Sequence, residues 1–197
     1  MEPTDKMKIV FLDIDGVLNS NDWYVKRAAT VPMDSISAQY PFYEFDPDAV
    51  KRLNRLTDLT GAKIVVSSTW RHGRTVEQLK TLFEQVGITG EVIDRTPHMN
   101  IAGKESGYTV PRGCEIDKWL DDHDFQRINW SRERQQEYLD KSQIQNYVIL
   151  DDDSDMLYNQ REHFVKCPHP TGFSRKELRE AIRILNTSII DLYYPKN

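Results

Sequence analysis

Two apolar runs in this chain end in clustered carboxylates, and a third ends in hydroxyls. The first reads Ile9-Val10-Phe11-Leu12-Asp13-Ile14-Asp15-Gly16, and another reads Tyr147-Val148-Ile149-Leu150-Asp151-Asp152-Asp153-Ser154-Asp155. Between them lies Ile64-Val65-Val66-Ser67-Ser68-Thr69-Trp70-Arg71. Asp13 and Asp15 are two residues apart, so an extended backbone points both side chains the same way. Gly16 lets the chain turn sharply straight after them. Neighbouring carboxylates repel, and without a cation one of them is driven to hold its proton. Mg²⁺ resolves that conflict, because it takes one or two carboxylates and leaves positions for a substrate phosphate. Hydroxyls followed by an arginine supply what a phosphate needs, donors for its oxygens and a bidentate cation. An isolated Asp-x-Asp-Gly serves equally well as a turn and helix cap. Four carboxylates between 151 and 155 are too many for that purpose, since a cap needs one.

These residues must be positioned by strands and helices. Short apolar runs that stop near Gly read as buried strands of a parallel sheet, and function in such sheets sits at the carboxyl ends of the strands. Asp46 and Pro47 open a helix with Ala49, Val50, Leu53, Leu56 and Leu59 on one face, and Gly61 closes it. A helix followed by the strand at 62–66 is half of a βαβ unit, which makes the second strand parallel to the first. Thr75 and Gln78 have capping-box spacing before Leu79, Leu82, Phe83 and Val86. Glu91–Asp94 reads as a short third strand, and Arg112 opens a helix with Ile116, Trp119 and Leu120 on one face. His163–Lys166 is a last short strand, and Ser174 with Glu177 caps a helix carrying Leu178, Ala181, Ile182 and Leu185. The pattern predicts an α/β, Rossmann-like fold, a mainly parallel sheet with helices on both faces.

At 197 residues the chain is expected to form a single domain. Its net charge of −5 is not that of a basic nucleic-acid binder. Its two cysteines, Cys114 and Cys167, have neither metal-site spacing nor the number a disulfide framework needs, which fits reduced thiols in a cytoplasmic protein. The first apolar run is broken by Asp13, so it is neither a signal peptide nor a membrane anchor. The five histidines read as structural or surface residues, with His72 alone beside a motif. Residues 20–45 hold Trp23, Tyr24, Tyr40, Phe42, Tyr43 and Phe45 together with Lys26 and Arg27, with no clean period. They read as a surface hairpin or loop, or as a flap whose aromatics stack on a base. Residues 95–112 form a long irregular stretch, 121–145 a charged exposed insertion whose second part reads as a solvated helix, and 186–197 a tail that packs across the domain.

The stretch around Asp13-Ile14-Asp15-Gly16-Val17-Leu18 resembles the first motif of the haloacid dehalogenase (HAD) superfamily of phosphohydrolases, in which the first Asp is the nucleophile and the second the general acid/base. The family's second motif, a strand closed by a Ser or Thr that binds the phosphate, falls on Ser67, or on Ser68 if the register shifts by one. Its third, a basic residue, falls on Arg112, with Lys104 as rival. Arg71 is either a further phosphate fork or a surface ion pair. The fourth, an acidic pair, falls on Asp151 and Asp152, with Asp152 favoured for direct metal contact and Asp155 for orienting a water. The resemblance thus implies Mg²⁺ held by Asp13, the backbone carbonyl of Asp15, and Asp151 or Asp152.

Response-regulator receivers also use strand-end carboxylates and Mg²⁺, but they carry the acidic pair first. The set Asp-Ile-Asp-Gly-Val-Leu-Asn, Ser-Ser-Thr-Trp-Arg, Arg-Gly-x-Glu-Ile-x-x-Trp-Leu and Ile-Leu-Asp-Asp-Asp is similar to the small HAD domains of RNA-repair proteins. Its layout is also similar to the 3′-phosphatase domain of phage polynucleotide kinase. The resemblance implies a Mg²⁺-dependent phosphomonoester hydrolase that works through an aspartyl-phosphate. With only a minimal cap at 20–45, its site is open to RNA or DNA 3′-phosphate ends. The alternatives are a nucleotidase or other small-metabolite phosphatase and, in another class, a catalytically silent HAD-like binding or regulatory domain.

Overall fold

The apolar runs pair into one sheet. The structure, a computed structural model of the chain, describes residues 6–30, 45–99, 110–125 and 131–194. Strand β1 (Met7–Leu12) lies at the centre, between β2 (Lys63–Val66) and β4 (Ile144–Asp151). Strands β3 (Val92–Arg95) and β5 (Phe164–Lys166) flank them, giving the order β3-β2-β1-β4-β5 with every pair parallel. Crossovers of this kind need helices to return the chain, which is why helix and strand alternate along the sequence. Leu12 is in register with Val66 on one side and Leu150 on the other. The next residues, Asp13, Ser67 and Asp151, therefore meet at one edge of the sheet. The ladder continues one step into that edge, with Asp13 N donating to Leu150 O at 2.9 Å and Ser67 N to Leu12 O at 2.8 Å.

The period of two along β1 divides the core. Val10 and Leu12 face helices α2 (Pro47–Thr60), α3 (Val76–Gln85) and α6 (Arg175–Asn186), against Leu53, Leu56, Phe83 and Ile184. Ile9 and Phe11 face the other way, onto α4 (Arg112–Asp122), α5 (Arg132–Lys141) and α7 (Ile189–Tyr193). There Phe11 meets Trp119 and Tyr147 edge-on, at centroid distances of 5.2 and 5.8 Å. A fully buried side chain of this size contributes roughly 1.5–3 kcal/mol, so the fully buried residues from Ile9 to Leu12 anchor the central strand.

The caps read from the sequence are formed. Asp46 accepts from Asp48 N ahead of Pro47, and Gly61 closes α2 in the left-handed conformation. Both capping boxes, Thr75 with Gln78 and Ser174 with Glu177, have both of their hydrogen bonds.

Residues 21–30 and 121–145 differ from expectation, whereas the 186–197 tail packs on the domain as expected. Residues 21–30, read as part of a hairpin or loop, form helix α1 (Asn21–Thr30), with Ser20 Oγ accepting from Trp23 N. None of its side chains is buried, so the sequence carries no apolar stripe to announce it. The rest of the 20–45 flap, including Tyr40, Phe42 and Tyr43, lies outside the described residues, and so does Lys104; Phe45 is buried. The 121–145 stretch contains α5, which buries Gln135 and Leu139, and it runs into β4 at Ile144. Polar Gln145 and Asn146 conceal that strand's start. Within the 186–197 tail, α7 buries Ile189 and Ile190, and Tyr193 Oη donates to Asn159 O at 2.6 Å. Cys114 and Cys167 are unpaired. Among the described residues no helix is long and apolar enough to cross a membrane.

Candidate active site

The ends of β1 and β4 bring Asp13, Asp151 and Asp152 together. One carboxylate oxygen from each lies within 4.8 Å of the others. Asp13 and Asp151 are buried and Asp152 is half-buried. Three hard oxygen donors in that space suit Mg²⁺, which takes carboxylate oxygens and keeps further positions for water or phosphate. Their electrostatics point the same way. Burial pushes Asp13 from its ordinary 3.8 up to about 6, against the pull of Arg112, the Ser68 hydroxyl and the Ile14 N–H. Asp151 rises further, to about 8, through burial and then the charge of Asp13. Such a cluster is costly while negative and becomes favourable around a cation.

Gly16 shapes the pocket floor. Its φ is +74°, and a Cβ there would run into the Asp152 carboxylate, so a side chain is excluded by both backbone and space. Asp152 is held from outside by His169, whose Nδ1 lies 2.9 Å from Asp152 Oδ2. Asp151 Oδ1 accepts from Asp153 N at 2.9 Å.

Asp15 stands apart from this cluster. Its side chain is exposed and turned to the loop after β2. The indole Nε1 of Trp70 donates to both of its oxygens at 3.0 Å, Asn19 Nδ2 donates to Oδ1 at 2.8 Å, and Thr69 Oγ1 reaches Oδ2 at 3.4 Å. Among the described residues, the group able to hold a metal contains Asp13, Asp151 and Asp152 and not the Asp15 carboxylate.

The two serines divide. Ser68 hydrogen-bonds Asp13 and accepts from Trp70 N, capping a 3-10 turn over Thr69–Arg71. The Ser67 hydroxyl is buried and, among the described residues, has no partner. Arg71 is neither a surface ion pair nor an open phosphate fork. It is 1% exposed, paired with Glu115, and its other donors go to Thr96 O, Ser68 O and Pro97 O. A guanidinium spent on carbonyls and a buried carboxylate ties the loop after β2 to helix α4.

Arg112 is at the first turn of that same helix. Its N–H donates to Asp155 Oδ2 at 2.7 Å, so Asp155 caps the helix. Gly113 follows, and a Cβ there would lie 2.5 Å from Leu157 N. Close approach at Gly113 thus sets Arg112 beside the carboxylates, where its charge acts on both Asp13 and Asp151. Its Nη1 is buried with no hydrogen-bond partner among the described residues. A buried donor without a partner is costly, and Ser67 Oγ and Arg112 Nη1 are two such groups among the described residues.

Sequence reasoning missed Trp70, Asn19, Glu115 and His169. Glu115 had a signal, three residues after Arg112 on one helix face. Trp70 and Asn19 had only proximity to a motif, and His169, between two prolines, had none.

Compared with known families, the chain matches the HAD domain in Swiss Army Knife RNA repair proteins over residues 9–178. No curated protein and no solved structure matches it. The matched span holds the whole parallel sheet beyond its first two residues, together with Asp13, Asp15, Ser67, Arg112, Asp151 and Asp152. With its five-stranded parallel sheet and strand-end carboxylates, the chain has the Rossmann-like HAD fold and belongs to the family of HAD domains found in Swiss Army Knife RNA repair proteins.

Proposed function

We propose that this domain hydrolyses phosphomonoesters through an aspartyl-phosphate on Asp13, and that its substrates are phosphorylated nucleic-acid ends, the 3′-phosphate foremost. Membership of the HAD family supports a phosphatase, and the family's RNA-repair description supports the nucleic-acid substrate. One observation carries the reading. Three carboxylates share one ion's space, beside a buried hydroxyl and a buried guanidinium nitrogen that lack partners among the described residues.

In the proposed reaction an Asp13 oxygen attacks phosphorus in line, and the bond to the leaving alcohol breaks as the Asp13–phosphorus bond forms. Asp15 gives its proton to the departing alkoxide. It then takes one from the water that attacks the aspartyl-phosphate and releases inorganic phosphate. Ser67 and Arg112 hold the non-bridging oxygens as charge shifts, and Ser68 orients Asp13. Mg²⁺, when bound by Asp13, Asp151 and Asp152, supplies positive charge that offsets the repulsion between the carboxylates and the phosphate.

The test is phosphate release, with Mg²⁺ and with EDTA, from RNA and DNA oligonucleotides phosphorylated at the 3′ or the 5′ end and from mononucleotides. Selective, Mg²⁺-dependent release from 3′ ends is expected. Preference for mononucleotides would move the assignment to a nucleotidase. Silence on every ester with Mg²⁺ present would overturn the enzyme reading in favour of a binding domain.

A further inference from the structure

Asp13 is held by burial. Asp15 is exposed, and an exposed carboxylate has several staggered rotamers open to it. Something else must hold it in the orientation it has, turned to the loop after β2. Trp70 is the restraint that reaches both oxygens, its Nε1 3.0 Å from each. The indole is itself held: Phe45 packs edge-on against it at 5.3 Å, and the Trp70 backbone N–H bonds the Ser68 hydroxyl. Asn19 Nδ2 occupies Asp15 Oδ1 at 2.8 Å, whereas the other contact on Oδ2 is the long one from Thr69 Oγ1, at 3.4 Å. An indole N–H is a donor only, so it can orient the carboxyl but cannot take its proton.

We propose that Trp70 is a positioning residue for Asp15, and that it suits the enzyme to esters of unactivated alcohols such as sugar hydroxyls. The proposal rests on the phosphatase reading above. In the step concerned, the phosphorus–oxygen bond to the alcohol breaks with its electron pair going to oxygen. The Asp15 proton moves to that oxygen, and Asp15 is left as carboxylate. An alkoxide leaves poorly without the proton, while a nitrophenolate leaves as a stable anion. Displacing Asp15 therefore slows the first kind of ester and largely spares the second.

The experiment compares Trp70→Phe with wild type on a 3′-phosphorylated oligonucleotide, the nucleotide ester the proposed function names, and on 4-nitrophenyl phosphate. The quantity read is kcat/KM, which covers only the steps up to loss of the alcohol and so excludes the later water attack common to both. We expect a loss of about 10- to 100-fold on the nucleotide, part of what a general acid contributes, and a loss at least about tenfold smaller on the aryl ester. Combining Trp70→Phe with Asp15→Asn should add no further loss on the nucleotide, because Trp70 acts through Asp15. Equal losses on both esters, no loss on either, or full additivity with Asp15→Asn would overturn the proposal. If Trp70→Phe does not fold, benzothienylalanine at position 70 replaces the N–H by sulfur with the ring volume kept, and the same ratio is read. A wild-type protein inactive on both esters with Mg²⁺ would instead fail the phosphatase reading, before any variant is compared.

Discussion

Asp13 and Asp15 are two residues apart on one strand end, yet their surroundings are opposite. Asp13 is 6% exposed, among two more carboxylates and under the charge of Arg112. Asp15 is exposed and held by hydrogen bonds from Trp70 and Asn19, with Thr69 at longer range. The chain turns at Gly16 straight after Asp15, which carries one carboxylate towards the rim while the other stays in the sheet edge. A buried charge is fixed by packing and raised in pKa by lost solvent. An exposed one keeps its solvent and has to be fixed by donors. The roles proposed for them, nucleophile and proton carrier, have those different needs.

The contrast is broken most severely at Asp13. Asp13→Asn is expected to lower turnover at least about 10³-fold, as removal of a nucleophile does. The same change removes charge from a crowded, buried cluster, so the metal-free protein should melt higher than wild type at pH 8. Thermal unfolding in EDTA reads the second effect independently of the first.

Arg112→Ala should cost about 10²–10³-fold in kcat, comparable to losing an oxyanion donor. The cation also offsets the burial of Asp13 and Asp151, so the variant's metal-free melting temperature should fall. A loss of activity with no change in melting would place Arg112 outside the carboxylates' field.

Burial of Asp13 and Asp151 should make stability depend on pH. Asp13 is raised from 3.8 to about 6 and Asp151 to about 8 in the folded protein. Between those limits the folded state keeps protons that the unfolded chain has released, so stability falls as pH rises from about 4 to about 8. Unfolding in EDTA across that range should show the decline. Added Mg²⁺ should raise the melting temperature more at pH 8 than at pH 5, because it binds the deprotonated carboxylates. A flat profile would mean that burial does not hold protons on the two groups.

The smallest effect is expected at the outer edge of the cluster. His169 pairs with Asp152 from a position 61% exposed, where such pairs contribute below about 1 kcal/mol. His169→Ala should change Mg²⁺ affinity, measured by titration of the melting temperature, by less than about threefold. A tenfold change would move Asp152's orientation from Gly16 to His169.

Much of the fold can be read in the chain because its signals are local. Periods of two and of three to four, Pro47 after Asp46, Gly61, and the capping boxes at Thr75 and Ser174 each act over a few residues. The helix at 21–30 escaped because no face of it is buried, and the start of β4 because Gln145 and Asn146 interrupt its apolar run. Arg71 shows where local reading ends. An arginine beside two serines and a threonine suggests a phosphate ligand, but its partner Glu115 lies on a helix 44 residues away in sequence.

By itself the sequence determined which strand ends carry chemistry, since apolar runs of strand length give way there to carboxylates or hydroxyls, and the order of those ends marks the family. Only the tertiary structure decided how the residues divide the work. Register at Leu12 aligned Asp13 with Ser67 and Asp151, and Gly16 and Gly113 allowed the close approaches that place Asp152 and Arg112. Long-range hydrogen bonds sent Arg71 to Glu115 and Asp15 to Trp70. Spacing along a chain fixes only which way neighbours point; burial and partners depend on segments that meet after folding.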